Sequence, residues 1–280
     1  MLFKTLNSGE TMPALGLGVY QVEEPRLCTR CVEIALDTGY RMFDTASAYR
    51  NEKAVGEAVR NSHVARQDIF LTTKLWISDM GYDSTLKAVE TSLNNLGTDY
   101  LDLYLIHQPL YDIYGSWRAM ERLHKEGVLK SIGVSNFHSD RIADLIAFNE
   151  IKPAVNQIEY NPFYQRKAEL EYLKTKGIAL ESWAPFTEGR HNLFELAELK
   201  AIAGKYGKSV AQVVLRWQLQ EGIIVIPKSV TPSRIKENFE VFDFELTADD
   251  IAQIEALDRK QSCFFSHRDP ETIEFLASYK

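Results

Sequence analysis

YLDLYLIH (residues 100–107), a segment of helical periodicity at 115–126 and SIGVS (131–135) follow one another in the chain, and their reading decides the fold. Both outer runs are short and almost continuously apolar, as strands buried on two faces are. A helix between two such strands makes them parallel through a right-handed crossover. The same unit recurs in both directions. Strand-like runs stand at ALGLGV (14–19), MFDTA (42–46), IFLTTKL (69–75), AVNQIE (154–159), IALESWAP (178–185) and IIVIPKS (223–229), with helical segments at 25–38, 51–61, 83–96, 139–149, 166–176, 195–206 and 233–241. Eight strand-helix units in 280 residues predict an α/β fold of the closed (β/α)8 type, a TIM barrel.

Additions to the barrel are also visible. FKTLNSGETMPAL (3–15) reads as an opening β-hairpin that turns at Asn7-Ser8-Gly9. VAQVVLRWQLQEG (210–222) and LTADDIAQIEALD (246–258) read as two extra helices, the second capped by Thr247. An open doubly wound sheet that bound a dinucleotide would carry G-x-G-x-x-G after its first strand, but Gly16-Leu17-Gly18 runs on into Val19, Tyr20 and Gln21. No low-complexity tract or flexible linker divides the chain, so residues 1–280 read as one barrel domain.

A net charge of -7 without any long Lys/Arg cluster argues against nucleic-acid and membrane-surface partners. The first residues, MLFKTLNSGETMPALGLG, lack the basic start, apolar core and cleavage site of a signal peptide, and no apolar run approaches a membrane span, so a cytoplasmic protein is expected. Cys28, Cys31 and Cys263 make no disulfide framework. Cys28 and Cys31 form a C-x-x-C inside an amphipathic helix with no second ligand pair nearby, and read as ordinary helix residues; no metal site is expected.

Chemistry in a (β/α)8 barrel gathers where the strands end, because the following loops form one mouth there. Polar or aromatic residues stand at these ends on consecutive strands: Asp44, Lys74, His107, Ser135 with Asn136, Gln157 with Glu159, Trp183, and Lys228 with Ser229. Singly, each reads as half of an ion pair, a cap or a packed side chain. Jointly they should converge on one cavity.

Asp44, Lys74, His107 and the nearby Tyr49 form a recognisable acid-base set. A phenol titrates near 10, and a buried ammonium beside it favours the phenolate and lowers that value. A buried Lys74 would lose its own proton unless Asp44 held it. Tyr49 could then protonate an oxygen that turns negative, with neutral His107 donating a hydrogen bond to it, which suits carbonyl reduction.

FDTASAY, TTKLW, LDLYLIHQP, IGVSNF, NQIEYNP, ESWAPF and IPKSVTPSRIKENF, in that order, resemble the aldo-keto reductase family over essentially the whole chain. The tail CFFSHRDPETIEFL is similar to the short bacterial, 2,5-diketo-D-gluconate reductase-like members. The resemblance implies NADPH-dependent reduction of a small-molecule aldehyde or ketone by a monomer or weak dimer. It places Asp44, Tyr49, Lys74 and His107 at the catalytic positions, with Tyr49 as general acid. It gives Ser135, Asn136 and Gln157 to the nicotinamide carboxamide and Trp183 to stacking on the ring. Lys228, Ser229 and Arg234 fall at the adenosine 2'-phosphate, Val230 among the cofactor-binding positions, and Glu237 and Asn238 at the adenine. Lys228 is a point charge and Arg234 a planar fork, so the segment is a sound anion cradle in its own right.

The chain departs from the family pattern at two positions: Ala184 stands where many members have Ser, and Val19 where a Thr is frequent. Tyr20, Trp76 and Tyr111 are the candidate substrate wall, and the short tail suggests an open site. Two rival readings carry less of the sequence. A barrel hydrolase could pair Glu159 with Asp44, but no second strand-end acid stands beside Glu159. A non-catalytic nicotinamide-binding sensor has no need of a tuned phenol. GVSNF is not a nucleophile elbow, since Phe137 replaces its second glycine and no triad follows.

Overall fold

In the computed structural model, which describes residues 1–279, eight parallel strands pair in chain order. They are β3 (Leu17–Gly18), β4 (Met42–Asp44), β5 (Phe70–Leu75), β6 (Leu103–Ile106), β7 (Ile132–Ser135), β8 (Val155–Glu159), β9 (Ala179–Trp183) and β10 (Ile224–Val225). Backbone hydrogen bonds join the last to the first: Gly16 N–H donates to Val225 O at 2.9 Å and Gly18 N–H to Pro227 O at 3.2 Å. Gly18 is required at this seam, because a Cβ there would lie 2.9 Å from the Ile226 carbonyl oxygen. The (β/α)8 barrel expected from the sequence is the observed architecture.

The opening hairpin is present as β1 (Phe3–Thr5) and β2 (Thr11–Pro13), antiparallel, with Phe3 opposite Pro13. It closes the lower end of the barrel. Leu6 and Met12 pack there with Met42, Phe70, Leu103, Leu105, Val155, Ala179 and Ile224 from the strands. A larger apolar layer lies between the strands and the surrounding helices, where Trp117, Trp217, Tyr104 and Tyr160 are fully buried. Each large side chain removed from water in this way contributes roughly 1.5–3 kcal/mol.

The helices are α1 (Pro25–Thr38), α2 (Glu52–Asn61), α3 (Tyr82–Leu96), α4 (Ile113–Lys125), α5 (Ser139–Phe148), α6 (Lys167–Lys176), α7 (Ala197–Tyr206), α8 (Val210–Gln220), α9 (Pro232–Phe239), α10 (Ala248–Glu255) and α11 (Pro270–Ala277). Local signals set their ends. In α1, Glu24 accepts from the N–H groups of Arg26 and Leu27, Pro25 opens the first turn, and Gly39 closes the helix at φ 117°. The extra helices α8 and α10 carry capping boxes on Ser209 and Thr247, the latter as expected. α11 is not foreseen in the sequence reading. Asp269 caps it and Pro270 starts it, but its apolar residues are too few to show a core-facing stripe. No helix among the described residues is long and apolar enough to cross a membrane.

Candidate active site

Inward-facing positions change character halfway up the barrel. Above the apolar floor come Asp44, Thr72, Lys74, Gln157 and Glu181, all buried. Period-two alternation explains the switch: Phe70, Thr72 and Lys74 share one face of β5, as Ala179, Glu181 and Trp183 share one face of β9.

Lys74 has three N–H donors and three acceptors within reach. Its Nζ lies 2.6 Å from Asp44 Oδ1, 2.8 Å from the Thr45 carbonyl and 3.4 Å from the Tyr49 hydroxyl. The Tyr49 oxygen thus accepts from the ammonium and keeps its own proton to give. A 3-10 turn, Ser47–Tyr49, aims the phenol. Ser47 Oγ fixes the turn by donating to Lys74 O at 2.9 Å. Asn51 fixes the loop, accepting from Thr45 Oγ1 at 2.6 Å and donating to the carbonyls of Val19 and Val22.

His107 is the first residue beyond β6. Its ring meets Tyr49 edge-on at 5.5 Å between centroids and Trp76 at 5.0 Å, and its buried Nδ1 has no partner among the described residues. Tyr20 packs against the other side of Tyr49, 4.9 Å away. Three residues from three different parts of the sequence, Tyr20, Lys74 and His107, are thereby brought around one phenol.

Burial pulls the Lys74 ammonium down, but the facing Asp44 carboxylate and the Tyr49 oxygen more than offset it, so the group stays charged. Burial pushes the Tyr49 phenol up to about 12, with Lys74 opposing. This corrects the sequence expectation that the ammonium leaves the phenol below its usual value: desolvation outweighs the favourable charge, and Tyr49 is a neutral phenol at pH 7. Burial, Lys74 and His267 all hold His107 well below the usual imidazole range, so it is neutral, as expected.

A second constellation lies beside the first. Ser135 Oγ donates to the Gln157 carbonyl at 2.8 Å. Asn136, at φ 66°, donates from Nδ2 to His107 O at 3.1 Å and accepts at Oδ1 from Trp183 Nε1 at 2.9 Å. Asn is among the few residues that tolerate this left-handed backbone, and the conformation turns its amide toward the mouth. Gln157 Nε2 donates to Asp44 Oδ2 at 2.9 Å and to Glu181 Oε2 at 2.8 Å. Glu181 is absent from the sequence reading, which stopped at Trp183. The available signal was its parity: two positions before Trp183 on one strand, it faces the same interior.

The pattern of the Aldo/keto reductase family matches residues 14–259. The chain belongs to the aldo/keto reductase family. Membership makes it an NADP-dependent oxidoreductase. It is 47% identical over 257 residues to the glyoxal reductase of Bacillus subtilis (strain 168), covering 91% of this chain and 92% of that protein. It is 44% identical over 257 residues to the methylglyoxal reductase DkgA of Escherichia coli (strain K12), covering 91% and 92%. A Bombyx mori aldo-keto reductase solved in complex with NADP superposes with a TM-score of 0.89 at 34% identity, covering 94% of this chain and 95% of that one.

In this aldo/keto reductase the segment after β10 is open to an anion. Lys228 and Arg234 are exposed, and neither has a carboxylate within ion-pair distance among the described residues. Thr231 N–H donates to Ser229 Oγ at 3.1 Å, and the Thr231 side chain caps none of the first-turn N–H groups of α9. These free donors and cations fit a nucleotide phosphate. Val230 is exposed, Glu237 half-buried, and Asn238 is buried on the inner side of α9.

Two expected members do not join the cavity. Glu159 is engaged by the tail: it accepts from Ser262 Oγ at 2.5 Å, Cys263 N–H at 2.9 Å and Asn161 Nδ2 at 3.1 Å. Its carboxylate docks the chain end instead of facing Asp44. Tyr111 is 75% exposed at φ 60° and makes no aromatic contact with Tyr49, His107 or Trp76. Its loop turns outward after Pro109. Tyr20 packs against Tyr49 and Trp76 against His107.

The tail reaches further than its length suggests. Phe264 packs on Trp183 at 5.2 Å, and His267 Nε2 lies 2.7 Å from Gln108 Oε1. Arg268 pairs with Asp140 at 3.3 Å, and Asp269 accepts from the Glu271 N–H at the head of α11. Cys28 and Cys31 are buried free thiols, and burial pushes both up. Among the described residues no group of three His, Cys, Asp or Glu side chains is placed to share a metal ion.

Proposed function

We propose that this chain reduces aldehydes and ketones to alcohols with NADPH, and that Tyr49 supplies the proton. The observation that carries the reading is the placement of Lys74 between Asp44 and Tyr49, 2.6 Å from one and 3.4 Å from the other. NADPH supplies hydride to the carbonyl carbon when bound. The protein's own side chains deal with the oxygen. As negative charge grows there, Tyr49 gives up its proton, and the phenolate left behind lies against the Lys74 ammonium, which stabilises it. Asp44 keeps that ammonium charged throughout. His107, neutral and wedged between Tyr49 and Trp76, is a hydrogen-bond donor for the same oxygen.

Ser135, Asn136 and Gln157 are the groups for the nicotinamide carboxamide, and Trp183 is the surface for the ring. Lys228, Ser229 and Arg234 hold the adenosine 2'-phosphate, with Val230 beside them against the cofactor, which gives NADPH its advantage over NADH. Glu237 and Asn238 lie on the adenine side. The substrate enters past Tyr20 and Trp76, a short aromatic wall that suits small carbonyl compounds. Activity on two-carbon and three-carbon dicarbonyls, named for the Bacillus and Escherichia relatives, fits such a wall.

Loss of absorbance at 340 nm with methylglyoxal, simple aldehydes and NADPH, run beside NADH, tests the reading. Fast turnover with NADPH and slow turnover with NADH are expected. Tight NADPH binding without turnover of any carbonyl compound would replace it with the sensor reading.

A further inference from the structure

Two carboxylates, Asp44 and Glu181, are buried in the upper barrel with a single ammonium, Lys74, and the Gln157 amide lies between them. Each N–H of that amide is used, one on Asp44 Oδ2 at 2.9 Å and one on Glu181 Oε2 at 2.8 Å. An amide oxygen could not take this place, because it would face the Asp44 carboxylate. Asp44 therefore fixes which way the amide faces, and Glu181, accepting the second N–H, fixes where it lies. Its Oε1 accepts from no described residue and is left for a donor from the mouth.

We propose that Glu181 is a positioning residue of the reaction, acting through Gln157 on Asp44 and on the cofactor's carboxamide. The inference rests on the reduction mechanism proposed above. Glu181 touches neither reacting atom nor cofactor; it determines how Gln157 presents itself to both. Charge counting says how it does so. Lys74 neutralises one carboxylate, and Asp44, in direct contact at 2.6 Å, is the one it pairs with. Glu181 acts in its protonated form, and burial together with the nearby Asp44 charge pushes it up to about 8, against Gln157 and Lys74.

Among the described residues no other charge intervenes. Beside Glu181 in the sheet, β8 presents Gln157 and β10 presents Ile224, and α6 packs outside β9 through Leu170 and Leu173. The charged groups facing Glu181 are Asp44 from β4 and Lys74 from β5, with Tyr49 one contact further on. When Glu181 ionises in alkaline solution, a second negative charge joins the box. That charge raises the Tyr49 phenol further and delays formation of the phenolate needed for alcohol oxidation.

The test compares wild type, Glu181→Gln and Glu181→Leu for NADPH affinity by tryptophan fluorescence and for the pH dependence of NADP+-linked alcohol oxidation. Glu181→Gln keeps the acceptor for Gln157 and cannot ionise, so NADPH binding stays within about twofold and the rising alkaline limb moves to lower pH. Glu181→Leu frees the Gln157 amide and weakens NADPH binding by about tenfold, the worth of one hydrogen bond. An unmoved limb in Glu181→Gln, or unchanged NADPH affinity in Glu181→Leu, overturns the proposal. Full turnover by Tyr49→Phe would instead overturn the mechanism beneath it, so the two failures are separable.

Discussion

Lys74 Nζ and Asp44 Oδ1 meet at 2.6 Å with side chains 0% and 3% exposed, an ion pair sealed from water at the base of the site. Taking both charges out of water is expensive, so this pair is better understood as a device for keeping an ammonium beside a phenol than as a source of stability. Removing one partner leaves the other buried and unpaired. Asp44→Ala should lower stability by about 3–5 kcal/mol in denaturant titration and abolish turnover. Asp44→Leu combined with Lys74→Met should recover much of that stability and none of the activity. A double variant as unstable as Asp44→Ala would contradict this.

Arg234, the planar donor that we propose for the 2'-phosphate, has no carboxylate within ion-pair distance among the described residues. Replacing it with Ala should raise KM for NADPH by roughly 10-fold to 100-fold, the worth of a charge-assisted hydrogen bond, and leave KM for NADH within about twofold. Equal losses with both nucleotides would place Arg234 outside the phosphate site.

Glu159 holds the tail through Ser262 and Cys263, and the tail in turn lays Phe264 on Trp183. Glu159→Ala should free this segment. Limited proteolysis should then cut between Arg259 and Arg268 faster than in wild type, and Trp183 fluorescence should change, while Tyr49-dependent turnover persists. Resistance equal to wild type would show that α11 and the His267–Gln108 contact dock the tail unaided.

Much of this was legible in the sequence, for reasons particular to barrels. Apolar runs with a polar or aromatic residue at the C-terminal end give away both strand and mouth, and mark Asp44, Lys74, His107 and Trp183. Their mutual geometry followed from strand order. What escaped was anything set by a balance or by the chain end. Proximity alone predicts that Lys74 lowers the Tyr49 phenol; only the degree of burial shows desolvation prevailing. Glu159 and Glu181 look alike in sequence, two strand acids two residues from an inward neighbour. The tail claims the first and the Gln157 amide the second. Tyr111 reads as a wall residue until the loop after Pro109 is seen to turn outward.

Glu181 also makes a prediction for stability against pH. Its folded value, about 8, lies above the unfolded carboxyl, so the folded state binds more protons between roughly pH 4.5 and 8, and stability contributed by the protonated form falls as pH rises through that window. Glu181→Gln removes this dependence. Its Tm relative to wild type should therefore rise steadily from pH 5 to pH 8, as thermal scans across that range would register. A constant difference would mean that Glu181 is ionised throughout.

The most direct test of the account is Tyr49→Phe, which removes one oxygen and leaves the ring packed between Tyr20 and His107. Stopped-flow mixing with NADPH and methylglyoxal should show NADPH binding with wild-type affinity and loss of the 340 nm signal slowed by about 100-fold or more, the usual weight of a general acid. Consumption of NADPH at the wild-type rate would mean that the proton comes from elsewhere, and that the phenol held by Lys74 is not the acid of the reaction.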